Sequence, residues 1–140
     1  MSTVEGSMSR AVLKVRPNDT LEQAAQAMIE RRTGSAVVMS DTTLVGIVTE
    51  RDVLRAVANG RVPWSTKIVD VMTADPISVP PDTDTTEAIR TMLKGGFRHL
   101  PICQDGRLVG LVSLRELLKA QALPLIGSTI AGAVAGSLAP

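Results

Sequence analysis

The sequence predicts an α/β (α+β) fold in which two tandem copies of one βαββα unit pack into a single compact module. Three observations carry that prediction. The chain matches itself at a shift of 64 residues, from Val15 to Val79. Each copy alternates short apolar runs with apolar stripes of helical period. Finally, 140 residues leave room for one buried core and none for a separate catalytic domain beside it.

The repeat needs no gap. Val15, Pro17, Ala24, Met28 and Asp41 meet Val79, Pro81, Ala88, Met92 and Asp105, and Leu44, Val45, Gly46, Val48, Arg51 and Leu54 meet Leu108, Val109, Gly110, Val112, Arg115 and Leu118. These are eleven identities across positions 15–55, where average residue usage gives about three. The division that follows is an N-terminal tail at 1–9, a first unit at 10–60, a linker at 61–73, a second unit at 74–122 and an apolar C-terminal tail at 123–140.

Each unit opens with an extended Val-x-Pro and a helix-start signal, Thr20-Leu-Glu-Gln23 in the first and Asp84-Thr-Thr-Glu87 in the second. Leu21, Ala24, Ala25 and Met28 then form one apolar stripe, and Ala88, Ile89, Met92 and Leu93 form its counterpart. Two strands follow, Ala36 to Met39 and Leu44 to Val48, joined by the polar turn Ser40-Asp-Thr-Thr43. In the second unit they are Leu100 to Cys103 and Leu108 to Val112, and the turn between them carries Asp105-Gly106, a pair that favours a hairpin. Gly46 and Gly110 stand between apolar strand residues, where glycine permits close backbone approach. Gly95-Gly96 ends the helix before it. Each unit closes with a helix, Glu50 to Ala58 and Leu114 to Ala122. One unit alone cannot cover both faces of its sheet, whereas two packed together can. In the linker, Asn59 to Pro63 breaks the chain, Trp64 is expected as a packing anchor, and Ile68 to Thr73 reads as a short helical lead-in.

Composition narrows the function. With 15 basic and 14 acidic residues and a single Trp, a single Phe and no Tyr, the chain has neither the charge nor the stacking platforms of a nucleic-acid binder. The lone Cys103 excludes an internal disulfide and a multi-cysteine metal site, and Met1 to Ser9 is too polar for a signal peptide, so a cytoplasmic location is expected. From Ala120 to Pro140 there is no charge, and Ser128, Gly132 and Gly136 recur at every fourth position. The run is rich in Gly and Ala, carries Pro124 and barely reaches the length of a membrane span. An oligomer-packing helix or a loose tail is favoured over membrane contact.

Several motifs in register over the repeat carry a family likeness. Asp70-Val-Met-Thr73, Ile77-Ser-Val-Pro-Pro81, Arg98-His-Leu-Pro-Ile102, Gly106 to Ser113 and Leu44-Val-Gly-Ile-Val-Thr-Glu-Arg-Asp52 resemble the signatures of CBS domain pairs, over roughly Arg10 to Ala122. The resemblance implies pseudo-twofold βαββα repeats with two clefts between their sheets. In this family those clefts often hold AMP, ADP, ATP or S-adenosylmethionine. It implies no required cofactor and no metal.

The same resemblance points to particular residues. Thr49-Glu-Arg51-Asp52 matches the element that supplies a carboxylate to ribose hydroxyls and a hydroxyl near the phosphates. An ionised carboxylate accepts two hydroxyl donors, and a helix N-terminus offers N–H groups to an anion. The competing reading is that Thr49 and Asp52 are only a capping box. Ser113-Leu-Arg-Glu116 in the second unit reads as a better capping box and a poorer family match, so the cleft headed by Asp52 is expected to be the stronger. Arg98 and His99 match basic residues near phosphate, with Arg98 the better ligand because a guanidinium binds phosphate bidentately; His99 is equally readable as structural. The first unit has Gly34 and Ser35 at these positions, which makes the two clefts unequal. Thr73 matches a nucleotide contact and Ile77 and Ser78 match adenine-pocket residues, although Thr73 could simply end a linker helix and Ile77 could be core.

The function expected is a ligand-sensing regulatory module that modulates self-association, as a homodimer, or an unidentified partner protein. The alternative is a ligand-free dimerisation domain. An enzyme ranks last, since the chain has one His, no Ser-His-Asp order and no phosphate loop.

Overall fold

A computed structural model describes residues 2–130, with side chains from Ser2 to Ala122. A 3-10 turn at Val4–Gly6 leads into β1 (Lys14–Val15), α1 (Leu21–Arg31), β2 (Ser35–Ser40), β3 (Thr43–Thr49) and α2 (Glu50–Ala58). A second 3-10 turn at Ile68–Asp70 leads into β4 (Thr73–Ala74), α3 (Thr85–Gly95), β5 (His99–Gln104), β6 (Arg107–Ser113) and α4 (Leu114–Ile130).

Local chemistry sets these boundaries. Thr20 Oγ1 accepts from the Gln23 backbone N–H at 3.1 Å while Gln23 Oε1 accepts from the Thr20 N–H at 2.8 Å, which closes the capping box at the start of α1. Asp84 Oδ1 accepts from the Thr86 and Glu87 N–H groups at the start of α3. α1 ends on Arg32 with φ 52°, and α3 ends at the corresponding Gly96 with φ 73°; the glycine adopts this left-handed conformation without steric cost, the arginine with it. Both hairpins turn in two residues, and in the second Asp105 and Gly106 both have positive φ, as the Asp-Gly signal requires.

The first half is a four-stranded sheet in the order β1-β2-β3-β4, with β1 parallel to β2 and the other pairs antiparallel. The second half repeats it: β5 pairs with β6, Val79 bridges Ile102 in parallel and Ser9 bridges Leu111 antiparallel. Those bridges stand 64 residues from Val15–Val38 and, for the outer one, from the pairing of Ile47 with Thr73. The pseudo-twofold pair of βαββα units is therefore present.

The segments that precede the units are exchanged. The second 3-10 turn packs into the first unit: Ile68 is fully buried with Val15, Ala24, Met28, Ala36, Val38 and Val48, its N–H bonds Asp19 O at 2.9 Å and the Leu21 N–H bonds Thr66 O at 2.8 Å. The first turn does the same in the second unit. Val4 is fully buried with Ala88, Met92, Leu100, Ile102, Val112 and Leu117, and its N–H bonds Thr83 O at 2.9 Å. Residues 1–9 are thus not a tail over the part described; from Ser2 onward they complete the core of the second half, where two repeated backbone hydrogen bonds to Leu111 hold Ser9.

Gly46 and Gly110 are where the exchanged segments meet the sheets. A Cβ at Gly46 would lie 3.0 Å from Thr73 O and press on Met72, and one at Gly110 would lie 2.9 Å from Ser9 O and 2.7 Å from Met8 Sδ. Close backbone approach, expected from the sequence, explains both glycines.

Four expectations are corrected. Ile68 to Thr73 is not one helical lead-in, because Thr73 pairs with Ile47 as an edge strand. Trp64 is 68% exposed and belongs to neither core cluster. Leu93, expected on the apolar stripe of α3, is 65% exposed, while Ala88 and Met92 are buried. α4 continues to Ile130, past the end at Ala122 expected from the sequence. No helix among the described residues is long and apolar enough to cross a membrane; the close-packing pattern at Gly132 and Gly136 lies outside them.

Candidate functional site

Where β3 passes into α2, Thr49 is extended and Glu50 is the first helical residue. Asp52 lies in the first turn of α2 and is 8% exposed. Its Oδ2 accepts from the Thr49 N–H at 2.9 Å and from the Thr49 hydroxyl at 3.2 Å, the Thr49 Oγ1 accepts from the Asp52 N–H at 3.4 Å, and Asp52 Oδ1 accepts from Arg55 Nη1 at 3.2 Å. A buried charge needs such partners. The cap is therefore real, and it does not consume the carboxylate: two oxygens offer about four acceptor sites, and Oδ1 has only an exposed arginine on it.

Asp52 also lines a cleft of about 640 Å³ between the two halves, within the ~300–1,000 Å³ range of small-molecule sites. Thr49, Arg51, Asp52, Thr73, Ile77, Arg98 and His99 all line it, so seven residues singled out in the sequence converge although they come from α2, β4, β5 and the strand ends beside them. Pseudo-twofold packing brings them together, with β3 and β4 supplying one wall and the start of β5 the facing one.

Three expected residues lie elsewhere. Ser78 is exposed beside the Val79 bridge and does not line this cleft. Ser113 sits opposite His99 in the β5–β6 pairing without reaching the cleft. Ser113 Oγ accepts from the Glu116 N–H at 3.1 Å, but the Glu116 carboxylate, half exposed, lies 4.0 Å from Lys119 Nζ. The expectation that Ser113 and Glu116 form the better box is thus reversed: the reciprocal box belongs to Thr49 and Asp52. The longer glutamate arm reaches out along the helix to a lysine one turn on, whereas the short aspartate reaches back.

Other lining residues escaped the sequence reading. They are Ile47, Glu50, Leu54, Arg55, Asp75, Pro76, Gly96 and Phe97. Each flanks a motif: Glu50 stands inside Thr49 to Asp52, Leu54 and Arg55 are one helical turn from Arg51, Asp75 and Pro76 fill the interval from Thr73 to Ile77, and Phe97 precedes Arg98. Helical spacing could have supplied Leu54 and Arg55; nothing local marks Asp75.

The charges are mixed. Glu50, Asp52 and Asp75 line the cleft together with Arg51, Arg55, Arg98 and His99. Burial holds the His99 pKa below its ordinary 6.5, Glu50 partly opposes that and Arg98 adds to the lowering, so His99 is neutral at pH 7 and donates through one ring nitrogen. The fixed positive charge at this end comes from Arg98. Among the described residues no group of His, Cys, Asp and Glu is arranged to hold a metal ion.

Comparison with known proteins shows the family and the fold. The family model described as CBS domain matches residues 2–59 and 68–123; the first match begins in the segment read from the sequence as a tail. An uncharacterized 17.7 kDa protein of Acidianus ambivalens is 43% identical over 111 residues, covering 78% of this chain and 66% of that protein, and another curated relative is matched over 40% of its length. The chain thus spans under two thirds of these two relatives. The solved structure of a protein with CBS domains from Burkholderia ambifaria is 31% identical with a TM-score of 0.82, covering 87% of this chain and 95% of that one. The CBS domain pair of protein MJ0100, solved in complex with 5'-methylthioadenosine and S-adenosyl-L-methionine, has a TM-score of 0.79 at 22% identity, covering 86% and 99%.

Proposed function

The chain belongs to the CBS-domain family, and from that premise we propose that it is a non-catalytic regulatory module that binds an adenosine nucleotide or S-adenosylmethionine in the cleft headed by Asp52. The observation that carries the reading is the convergence of Asp52, Thr73, Ile77, Arg98 and His99 on one cleft between the repeats. Ile47, Pro76 and Ile77 give it an apolar wall for a base, Asp52 an acceptor for ribose hydroxyls, and Arg98 a charge for phosphate. The solved complex of MJ0100 with two adenosyl ligands supports the ligand class. Oδ1 keeps a lone pair for a ribose hydroxyl beside Arg55, whose side chain is 62% exposed and can swing aside. The cleft headed by Glu116 is the weaker one, since its carboxylate points toward Lys119.

Regulation follows if the ligand binds one arrangement of the module better than another, because it can shift an equilibrium only by that difference. The test is calorimetric titration of AMP, ADP, ATP and S-adenosylmethionine into wild type, Asp52→Ala and Glu116→Ala. Binding that is lost in the first variant and kept in the second supports the reading. Because Asp52 also caps α2, folding of Asp52→Ala is verified by its thermal midpoint. No saturable binding by wild type refutes the reading.

One observation favours self-association as the output. Ile29 and Leu93, and likewise Leu54 and Leu118, are exposed apolar pairs at matching positions of the two halves, between 47% and 80% exposed. Because α1 packs with α2 and α3 with α4, these residues form two matching apolar faces, one on each half, and a second copy of the chain is their proposed partner.

A further inference from the structure

Within that nucleotide-binding reading, we propose that Asp75 is the specificity-determining residue of the Asp52 cleft, its carboxylate accepting from the exocyclic amine of a 6-aminopurine and rejecting 6-oxopurines.

Strand β3 orders the cleft. At one end, Thr49 and Glu50 lie beside the cationic corner, where Glu50 acts electrostatically on His99 and the Leu114 N–H bonds Arg98 O at 2.8 Å. At the other end the Asp75 N–H bonds Val45 O at 3.1 Å. Val45 and Thr49 stand four residue steps apart on the strand, about 13 Å at ~3.3 Å per residue, enough to hold a purine, its ribose and a first phosphate in line. Ile47 lies between the two ends, paired with Thr73, and with Pro76 and Ile77 it provides the apolar surface a purine needs. With phosphate at Arg98 and ribose at Asp52, the far edge of the base falls toward Asp75.

The backbone is unusual there. Asp75 has φ 46° and precedes Pro76, a position that ordinarily favours extended conformations. The other non-glycine residues with positive φ have local reasons, Arg32 at a helix end and Asp41 and Asp105 in two-residue hairpin turns. Asp75 stands at the exit of an edge strand, and its conformation turns the chain along the cleft wall, as strained backbone does at ligand sites. Chemistry then sets the selectivity. An ionised carboxylate only accepts, so on the N7 side of the base, away from the N1–H of a 6-oxopurine, it pairs with a 6-amine and repels a 6-carbonyl oxygen. The corresponding residue of the other half is Ala11, 64 positions earlier, so the selectivity belongs to this cleft.

The experiment titrates AMP and inosine monophosphate into wild type, Asp75→Asn and Asp75→Gly. Both substitutions suit positive φ, so both variants are expected to keep the wild-type fold. Wild type binds AMP about tenfold tighter than inosine monophosphate, the scale of one hydrogen bond to a charged group. In both variants the ratio falls to about twofold or less, because the amide of Asn also donates and Gly offers nothing. The ratio is the decisive readout: a carboxylate that merely repels phosphate shifts both affinities together and leaves it unchanged. Equal wild-type affinities, or variants that retain the wild-type ratio, overturn the role of Asp75 and leave the nucleotide reading standing. Wild type that binds neither purine, nor ATP, nor S-adenosylmethionine overturns both.

Discussion

Truncating Val4 to alanine tests whether the N-terminal segment is part of the fold. Val4 is fully buried in the core of the second half, against Ala88, Met92, Leu100 and Ile102. The substitution removes two carbon atoms, which costs about 1.6 kcal/mol at ~0.8 kcal/mol per buried methylene, and a residual cavity raises the expected loss to about 2–3 kcal/mol. Urea unfolding followed by circular dichroism reads this as a lower midpoint with an unchanged slope. Deleting residues 1–9 goes further. It removes Val4 and Met8 from the core and the hydrogen bonds of Thr85 N–H to Ser2 O, Val4 N–H to Thr83 O and Leu111 N–H to Ser9 O, each worth about 1 kcal/mol net. The combined loss rivals the ~5–15 kcal/mol that holds a typical domain together, so the deleted protein is expected to lose its cooperative transition. A Val4→Ala variant within 0.5 kcal/mol of wild type, or a deletion that unfolds like the parent, refutes the exchange of segments.

Three further outcomes are expected. Gly46→Ala and Gly110→Ala each lower stability by about 1–3 kcal/mol in the same urea assay, because the new methyl meets a backbone carbonyl at 3.0 or 2.9 Å; wild-type midpoints would show that the edge segments shift freely. The His99 pKa lies below its ordinary 6.5 in the folded protein, so the unfolded chain takes up the proton more readily; its contribution to stability is intact above pH 6.5, declines as pH falls through that value and levels off below the folded pKa. His99→Gln removes that part of the pH profile, and an identical profile in the variant contradicts the assignment. Ile29→Glu combined with Leu93→Glu places a charge on the exposed apolar face of each half and yields a monomer by sedimentation at micromolar concentration, where wild type sediments as a dimer; wild type that is already monomeric rules out self-association through these faces.

Much of the fold was legible in the sequence because its signals are local. The capping boxes, the Asp105-Gly106 turn and the apolar spacing of α1 and α3 act over four residues or fewer, and the boundaries of β2, β3 and α2 fall within a residue of those expected. The repeat made the two-unit architecture readable, and the family motifs brought seven cleft residues into view. Interactions across the chain were not readable. Ser2 Oγ donates to Thr85 Oγ1 across 83 positions, and no local pattern announces that a polar N-terminal stretch with one valine fills the core of the distant half. Asp75 escaped for the same reason, since only the pairing of β4 with β3 brings it to the cleft.

The sequence by itself determined the elements, their repetition and the chemistry available at each helix start, because backbone hydrogen bonding and apolar period are written within each segment. Tertiary structure decided which segment completes which core and which side chains share a cleft. Those outcomes depend on surfaces that meet only after the two halves pack, and Asp52 and Glu116 illustrate it: they hold the same place in the repeat, yet only Asp52 is buried, capped and set at the cleft.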